Sequence, residues 1–399
     1  MRMRRIRTWK KISILVGLLL LLLFLHIKFG KKFPHFEPWN CTNSIECERM
    51  SNAKCQNNDT KIILFYTPWF KRKPWPHFDS SELNPFHADC PEKKCKITYN
   101  VYDIGKSDLV IFHARDMGSG GFVSDKELQQ IQTYRCPRQR MAFISHETSQ
   151  SEPVNNYIAI PDGFFNWTIT YKTDSDFHFP YGSYAPLPYA ENPPPFIDYA
   201  ASKSKFVMWA VSNCGTIRDK YVKKLLNYIN VDIFGKCSYI YGQYNQCLKS
   251  RTDCEDIFKR YKFTLAFENG VCTDYISEKF WVALQRNSVP VVLARDYYSA
   301  DVVPPASFIS VQDFPTVKAL AGYLLYLDAN DTAYNEYFSW KQKFVSKRNF
   351  HFAACKVCDA LHDGRLKPKV YYDMFKKFWN EDVDCKKREE TLLRLIDKE

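Results

Sequence analysis

Apolar positions along this chain fall into two patterns that alternate. Short unbroken runs recur: Lys61–Tyr66 (KIILFY), Asp108–His113 (DLVIFH), Met141–Ser145 (MAFIS), Phe206–Val211 (FVMWAV), Lys262–Phe267 and Val289–Ala294. Their length and their aromatic and β-branched content predict buried strands. Between them, apolar residues return at helical spacing. Ile217, Tyr221, Leu225 and Tyr228 share one face of a helix over Thr216–Tyr228, and a later helix is expected over Pro315–Leu327. Ile276, Phe280, Ala283 and Leu284 mark a third helix, which Asp274 can cap and Asn287 and Ser288 can end. Strand, helix and strand in succession make βαβ units, whose ligands sit outside the carboxyl ends of the strands against helix N-termini. The proline-rich stretch Pro186–Pro195 is a linker between two such regions. No internal repeat or low-complexity tract interrupts them.

The amino terminus departs from both patterns. Ile12–Ile27 is almost continuously apolar and is flanked by basic residues on both sides. The formal net charge of +12 suggests a nucleic-acid partner until its location is considered. Arg2, Arg4, Arg5, Arg7, Lys10, Lys11, Lys28, Lys31 and Lys32 all precede Glu37, the first acidic residue, and leave only three net charges for the rest. The basicity therefore belongs to a membrane anchor, not to a nucleic-acid face. The heavier cluster lies on the N-terminal side, which predicts a cytosolic amino terminus and a type II signal-anchor. A cleaved signal peptide is the alternative, but no small-x-small site follows the apolar run. The expected layout is a cytosolic tail over 1–11, a transmembrane segment over 12–29 and a stem over 30–60. Fourteen cysteines suit an oxidising compartment, and Cys355-Lys-Val-Cys358 is read as disulfide chemistry because no second ligand pair completes a zinc site. Sequons occur at Asn40, Asn58, Asn166 and Asn330.

Candidate chemistry gathers at strand ends. Arg218 and Lys279 each fall in the first turns of a predicted helix, where a cation opposes the macrodipole unless an anion sits there. The alternative for Glu278 and Lys279 is a solvated pair on the outer helix face. Met141–Ser145 delivers His146 and Glu147 to its carboxyl end. Gly118-Ser-Gly-Gly121 follows a strand but lacks the Walker lysine and the dinucleotide spacing, and reads as a flexible loop. Asp174-Ser-Asp176 could chelate a divalent ion with a diphosphate. With Arg218 and Lys279 already able to supply positive charge, no metal site is assigned.

The stretch FENGVCTDYISEK (Phe267–Lys279) followed by VPVVL resembles the signature of the α1,3-fucosyltransferases, glycosyltransferase family 10, which move fucose from GDP-fucose to glycans. Phe267, Glu268, Asn269, Asp274, Tyr275, Glu278 and Lys279 match, while Gly270 and Ser277 replace a usual Ser and Thr. Gly163–Tyr184 resembles a second block of that family, and the likeness spans roughly Lys61 to Cys358. It implies a GT-B type α/β fold, two Rossmann-like domains facing across a cleft behind an N-terminal transmembrane anchor. An acceptor domain would occupy 61–195, a GDP-fucose domain 196–345 and a helical, cysteine-bearing tail 346–399.

The resemblance further implies an inverting, single-displacement transfer in α1,3 linkage to GlcNAc of glycoprotein glycans, on the N-glycan core or antennae. Glu147 matches the family glutamate proposed as general base, although Thr148 and Ser149 stand where Ser-Pro is usual. Arg218 matches an arginine that contacts the nucleotide phosphates. Asn269, Tyr275, Glu278 and Lys279 would hold the donor. No cofactor is required, with Mn²⁺ or Mg²⁺ at most a non-essential stimulant. The expected partners are GDP-fucose, a glycoprotein or oligosaccharide acceptor and the Golgi membrane, with no nucleic acid. Cys272-Thr-Asp-Tyr275 is closer to invertebrate members. A non-catalytic glycan-binding protein on the same fold is the rival from another class, and another sugar donor is the enzymatic one.

Overall fold

The computed structural model describes residues 59–76, 92, 94–118, 120–156, 158–187, 195, 197–244, 247, 253–348, 354–363, 374–380 and 385–398. The anchor segment, the stem and the sequons at Asn40 and Asn58 lie outside them. Among the described residues no helix is long and apolar enough to cross a membrane.

Glu48–Glu399 is one compact unit that holds two parallel sheets. The first sheet contains β1 (Lys61–Phe65), β2 (Cys95–Thr98), β3 (Leu109–His113), β4 (Arg140–Ser145), β5 (Trp167–Thr170) and β6 (Phe177–His178). Its order is β2-β1-β3-β4-β5-β6. After a short β7 (Gly182–Pro186), the second sheet is built from β8 (Lys205–Ala210), β9 (Asp232–Phe234), β10 (Tyr261–Leu265), β11 (Val289–Val292) and β12 (Ile309–Ser310). Its order is β9-β8-β10-β11-β12. In both sheets the first strand lies between the second and the third. The chain therefore reverses direction at β1/β3 and again at β8/β10, and such switch points are where doubly wound sheets bind ligands.

The unbroken apolar runs have a direct cause. Leu64, Val110 and Phe143 join the main core, while their neighbours Ile63, Ile111 and Ile144 join a second cluster on the opposite face. Each strand is thus buried on both sides, and alternation disappears. The main core continues through Trp209, Phe263 and Val291 of the second sheet.

The carboxyl-terminal part does not form a separate module. A strand, β13 (Phe344–Arg348), pairs antiparallel with β7, where helical pattern suggests otherwise. The helix Ala354–Asp363 then returns beneath the first sheet, burying Ala354, Val357 and Cys358 beside Phe65 and Ile111. Cys358 is joined to Cys95, 263 residues earlier. Trp379 packs on Phe143, and the helix Lys387–Asp397 buries Leu392 and Ile396 in the main core. Cys272–Cys385 ties this tail to the loop after β10, and Cys214–Cys237 and Cys247–Cys254 staple the second sheet's connections.

Three local expectations need correction. The helix after β10 spans Glu278–Gln285 and its cap is Ser277, whose hydroxyl accepts from Lys279 N. Asp274 instead sits at φ 61° and accepts hydrogen bonds from Thr173 N and Oγ1. Asn287 at φ 54° closes that helix: its N–H bonds Leu284 O while Ser288 N bonds Ala283 O, the Schellman arrangement. Tyr228 lies beyond the end of the helix Ile217–Leu225 and is exposed. The Gly118–Gly121 turn is pinned by Gly120 N to Arg115 O and Phe122 N to Asp116 O.

Candidate active site

The loops at the carboxyl ends of β1, β3, β4, β8 and β10 line one cleft between the sheets, of about 1360 Å³. Glu147, Arg218, Asn269, Tyr275, Glu278 and Lys279 all face it, so the structure brings together every predicted catalytic and donor-binding residue.

Glu147 follows β4 directly. Its backbone is held by Ser145, whose Oγ lies 3.1 Å from Glu147 N and 3.0 Å from Glu147 O. Its carboxylate accepts from Tyr275 Oη at 3.2 Å, a hydrogen bond from the other sheet. Burial raises the Glu147 pKa; Lys279 opposes that, Glu278 reinforces it, and the Tyr275 hydrogen bond and Arg115 pull it down. A carboxylate raised towards neutrality is a stronger proton acceptor.

On the second sheet the cationic groups differ in their partners. Arg218 is 2 % exposed, and it donates from Nη1 to Phe267 O at 2.8 Å and from Nη2 to Asn213 O at 2.9 Å. It thereby bolts the loop after β8 to the end of β10. Its Nε and the Oδ1 of Asn269 are buried without a hydrogen-bond partner among the described residues. Lys279 does not stand alone against the helix dipole. Its Nζ is 3.0 Å from Glu268 Oε2, 2.7 Å from Ser277 Oγ and 3.4 Å from Glu278 Oε1. Glu268 is almost fully buried and also accepts from Ser277 N at 2.8 Å and Ser277 Oγ at 2.6 Å. The neighbouring carboxylates outweigh burial and raise the Lys279 pKa, so the ammonium stays charged. The Glu278–Lys279 pair faces the cleft and not an outer helix face, with the Lys279 side chain 24 % and the Glu278 side chain 42 % exposed.

The two loops meet directly. Asn269 Nδ2 donates to Ser151 Oγ at 3.1 Å, and a Cβ on Gly270 would fall 2.6 Å from Gln150 Oε1. A serine at 270 would push against Gln150, so the glycine that breaks the family pattern accommodates the loop that carries Glu147.

Two sequence-level candidates sit elsewhere. Asp176 accepts from Thr168 N at 2.8 Å and Oγ1 at 3.0 Å, holding the β5–β6 turn, and neither it nor Asp174 lines the cleft. Among the described residues the one metal-like cluster is Cys95, Cys358 and His362, and its two cysteines are already a disulfide. The Asn166 sequon is packed. Asn166 is 4 % exposed, and its Oδ1 accepts from Met141 N at 3.0 Å. Asn330 is partly exposed, and its Oδ1 accepts from Ala333 N as the cap of the helix Asp331–Glu336.

Sequence reasoning did not assign roles to Glu268, Glu152 or the pair His113–Asp116. Glu268 was within reach, as a carboxylate immediately after a buried strand. His113 Nδ1 lies 2.6 Å from Asp116 Oδ2, with both side chains fully buried. Asp116 also accepts from Phe70 N and Lys71 N, and so fixes the turn that presents Trp69 and Phe70 to the cleft. That role depends on contacts 45 and 46 residues apart, and no local signal announces it.

Comparison with known proteins identifies the family. The family model described as glycosyltransferase family 10 (fucosyltransferase) C-term matches residues 200–377, and that described as fucosyltransferase, N-terminal matches residues 57–182. The chain is 33% identical to glycoprotein 3-alpha-L-fucosyltransferase A of Drosophila melanogaster, over 79% of this chain and 59% of that one. It is 32% identical to a 3-galactosyl-N-acetylglucosaminide 4-alpha-L-fucosyltransferase of Bos taurus, over 86% and 90% respectively. A 4-galactosyl-N-acetylglucosaminide 3-alpha-L-fucosyltransferase of Homo sapiens is 35% identical, over 76% and 79%. A solved α1,3-fucosyltransferase with GDP-fucose superposes with a TM-score of 0.48 at 16% identity, over 84% of this chain and 99% of that one. At that level the superposition adds nothing to an assignment that rests on sequence. The chain belongs to glycosyltransferase family 10, the fucosyltransferases.

Proposed function

We infer that this protein transfers L-fucose from GDP-fucose to a GlcNAc hydroxyl of glycoprotein glycans, in α1,3 linkage and with inversion. The observation that carries the reading is the convergence of Glu147, on the first sheet, with Arg218, Tyr275, Glu278 and Lys279, on the second, around one cleft. The acceptor binds the first domain, over 61–195, and the donor binds the second, over 196–345. Glu147 removes the acceptor proton as the C–O bond forms. Arg218, Lys279 and the N-termini of the helices Ile217–Leu225 and Glu278–Gln285 offset the charge that builds on the departing GDP. Asn269, Tyr275 and Glu278 hold the nucleotide. No metal is assigned to this step, and Mn²⁺ or Mg²⁺ would act as a non-essential stimulant.

The linkage is the part of this reading that relatives divide on, since their names include both 3- and 4-fucosyltransferases. The N-terminal apolar segment with its basic flanks supports a single-pass type II Golgi protein with lumenal domains. The disulfides Cys95–Cys358, Cys214–Cys237, Cys247–Cys254 and Cys272–Cys385 support an oxidising lumen. Asn40, Asn58 and Asn330 are the proposed glycan sites.

Glu147→Gln is the decisive variant. It should bind GDP as wild type does and lose about 10²–10⁴-fold in turnover, the range of general-base contributions. Near wild-type turnover would move the base elsewhere. A glycan-binding protein without turnover would show no GDP-fucose consumption with any acceptor, in the wild type as in the variant.

A further inference from the structure

Behind Glu147 lies a second glutamate that the mechanism above does not use. The Glu152 side chain is 1 % exposed, and its Oε2 lies 2.7 Å from Ser145 Oγ. Ser145 Oγ is itself fully buried and contacts both Glu147 N, at 3.1 Å, and Glu147 O, at 3.0 Å. A hydroxyl has one proton and two lone pairs, and this fixes the direction of each bond. Glu147 N–H occupies one lone pair of Ser145. If Glu152 is ionised, the Ser145 proton must go to it, and Glu147 O loses its donor. If Glu152 is neutral, its own O–H donates to Ser145, and Ser145 donates on to Glu147 O. In the neutral state every one of these contacts is satisfied.

We propose that Glu152 is a positioning residue: as a neutral carboxylic acid it holds the backbone of Glu147 through Ser145 and sets the alkaline limit of turnover. This rests on Glu147 being the general base.

The surroundings favour the neutral form. Burial, with the nearby charge of Glu147 adding to it, pushes the Glu152 carboxyl up to about 8. Ser145 and Arg115 oppose that, and Asp116 reinforces it. The charged groups that face Glu152 are therefore Glu147 on its own loop and Arg115 and Asp116 from the segment after β3. Arg115 offers weak compensation, with its Nε 3.4 Å from Glu152 Oε1 and its side chain 41 % exposed. The tail contributes Trp379, whose Nε1 donates to Glu152 O at 3.1 Å and adds no charge. When Glu152 ionises, Glu147 O loses its donor, one of the two contacts through which Ser145 holds the loop, and a second negative charge appears beside the base.

The test is the pH profile of kcat in the full chain at saturating GDP-fucose and acceptor, with GDP titration as the control for folding. Wild type should lose activity on the alkaline side with an apparent pKa near 8. Glu152→Gln keeps a donor towards Ser145 that cannot ionise. It should therefore turn over within about threefold of wild type at pH 7, with the alkaline limb displaced upward by more than one unit. Glu152→Leu and Ser145→Ala should each reduce kcat by about 5- to 100-fold at pH 7, as expected for one broken buried hydrogen bond. The double variant should be no worse than the poorer single one, because both cut the same chain. An unmoved alkaline limb in Glu152→Gln overturns the proposal. So does a Glu152→Gln that binds GDP normally yet is as slow as Glu152→Leu, and so does additive loss in the double variant. Failure of the underlying reading is seen separately, as a Glu147→Gln that turns over normally.

Discussion

Removing one hydroxyl, in Tyr275→Phe, tests how the second sheet tunes the base on the first. Tyr275 is 1 % exposed, and its ring meets Tyr171 edge-on at 4.9 Å, contacts that phenylalanine preserves. What is lost is the hydroxyl, with its hydrogen bond to Glu147 Oε2 at 3.2 Å and its contact with the Tyr181 side chain. A hydrogen bond to an ionised group contributes about 1.5–3 kcal/mol, and 3.2 Å is at the long end of the normal range, so about 1.5 kcal/mol applies. The phenol stabilises the carboxylate and lowers its pKa, so the variant raises it. At 1.36 kcal/mol per unit, the shift is about one pH unit upward. The base works above its pKa. The acid limb of kcat should therefore move up by about one unit, costing roughly tenfold below both pKa values. On the plateau at saturating donor the variant should stay close to wild type, because its base is stronger, and any lost contact to the nucleotide should show as weaker GDP binding instead. Steady-state rates at saturating substrates, taken from pH 5 to the plateau, measure this directly, and GDP titration monitors the donor site. An acid limb that stays in place or moves down would refute the coupling between Tyr275 and Glu147.

Lys279→Met should weaken GDP binding about ten- to a hundredfold and also destabilise the fold, since Glu268 is left buried without its cation. Adding Glu268→Gln should recover stability but not GDP affinity; calorimetry that finds GDP affinity unchanged in either variant would remove Lys279 from the diphosphate site. His146 is held neutral by burial, with a pKa near 3, stacked on Phe179 and donating to its carbonyl. Its folded pKa lies below the unfolded value of about 6.5, so its stabilising contribution is complete above 6.5 and is lost as pH falls towards 3, at about 1.4 kcal/mol per unit. Denaturant midpoints of His146→Gln should depend less on pH than wild type between 6.5 and 4.5, and an identical slope would contradict this. Asn166→Gln, expressed through the secretory pathway, should show the wild-type glycosidase shift on a gel, because Asn166 is packed against Met141 N; loss of one glycan's mobility would show that it had been modified before folding.

The parts of this fold that were legible in sequence are those whose cause is local. Runs such as LVIFH need both faces covered, and any fold that buries them makes them strands. Arg218 and Lys279 were visible because a cation in a first helical turn is anomalous, and the cleft location follows from where strands end. The misreadings share a different origin. Asp274 has the right chemistry to cap a helix, but Thr173 from the other sheet claims it and pushes the cap to Ser277. Glu268, eleven residues before Lys279, meets its ammonium and was given no role by the local pattern. Phe344–Arg348 becomes a strand because β7, about 160 residues earlier, offers an edge. In each case the deciding partner is remote in sequence, and helical or capping propensity, worth about 1 kcal/mol, yields to it.

The Cys95–Cys358 bridge has a consequence for biosynthesis. Chains emerge amino terminus first, at roughly 5–20 residues per second, so Cys95 precedes its partner by roughly 13–50 s. Throughout that interval the first sheet also lacks the helix Ala354–Asp363, which covers one face of β1 and β3. The first-sheet half is therefore made first but finished last, with an open apolar face and an unpaired thiol while other cysteines are already present. Its maturation should depend on chaperones that shield the face and on an isomerase that undoes premature pairings. Truncation before residue 358 should leave the first sheet unable to complete its own core, although its strands all come from the first half of the chain.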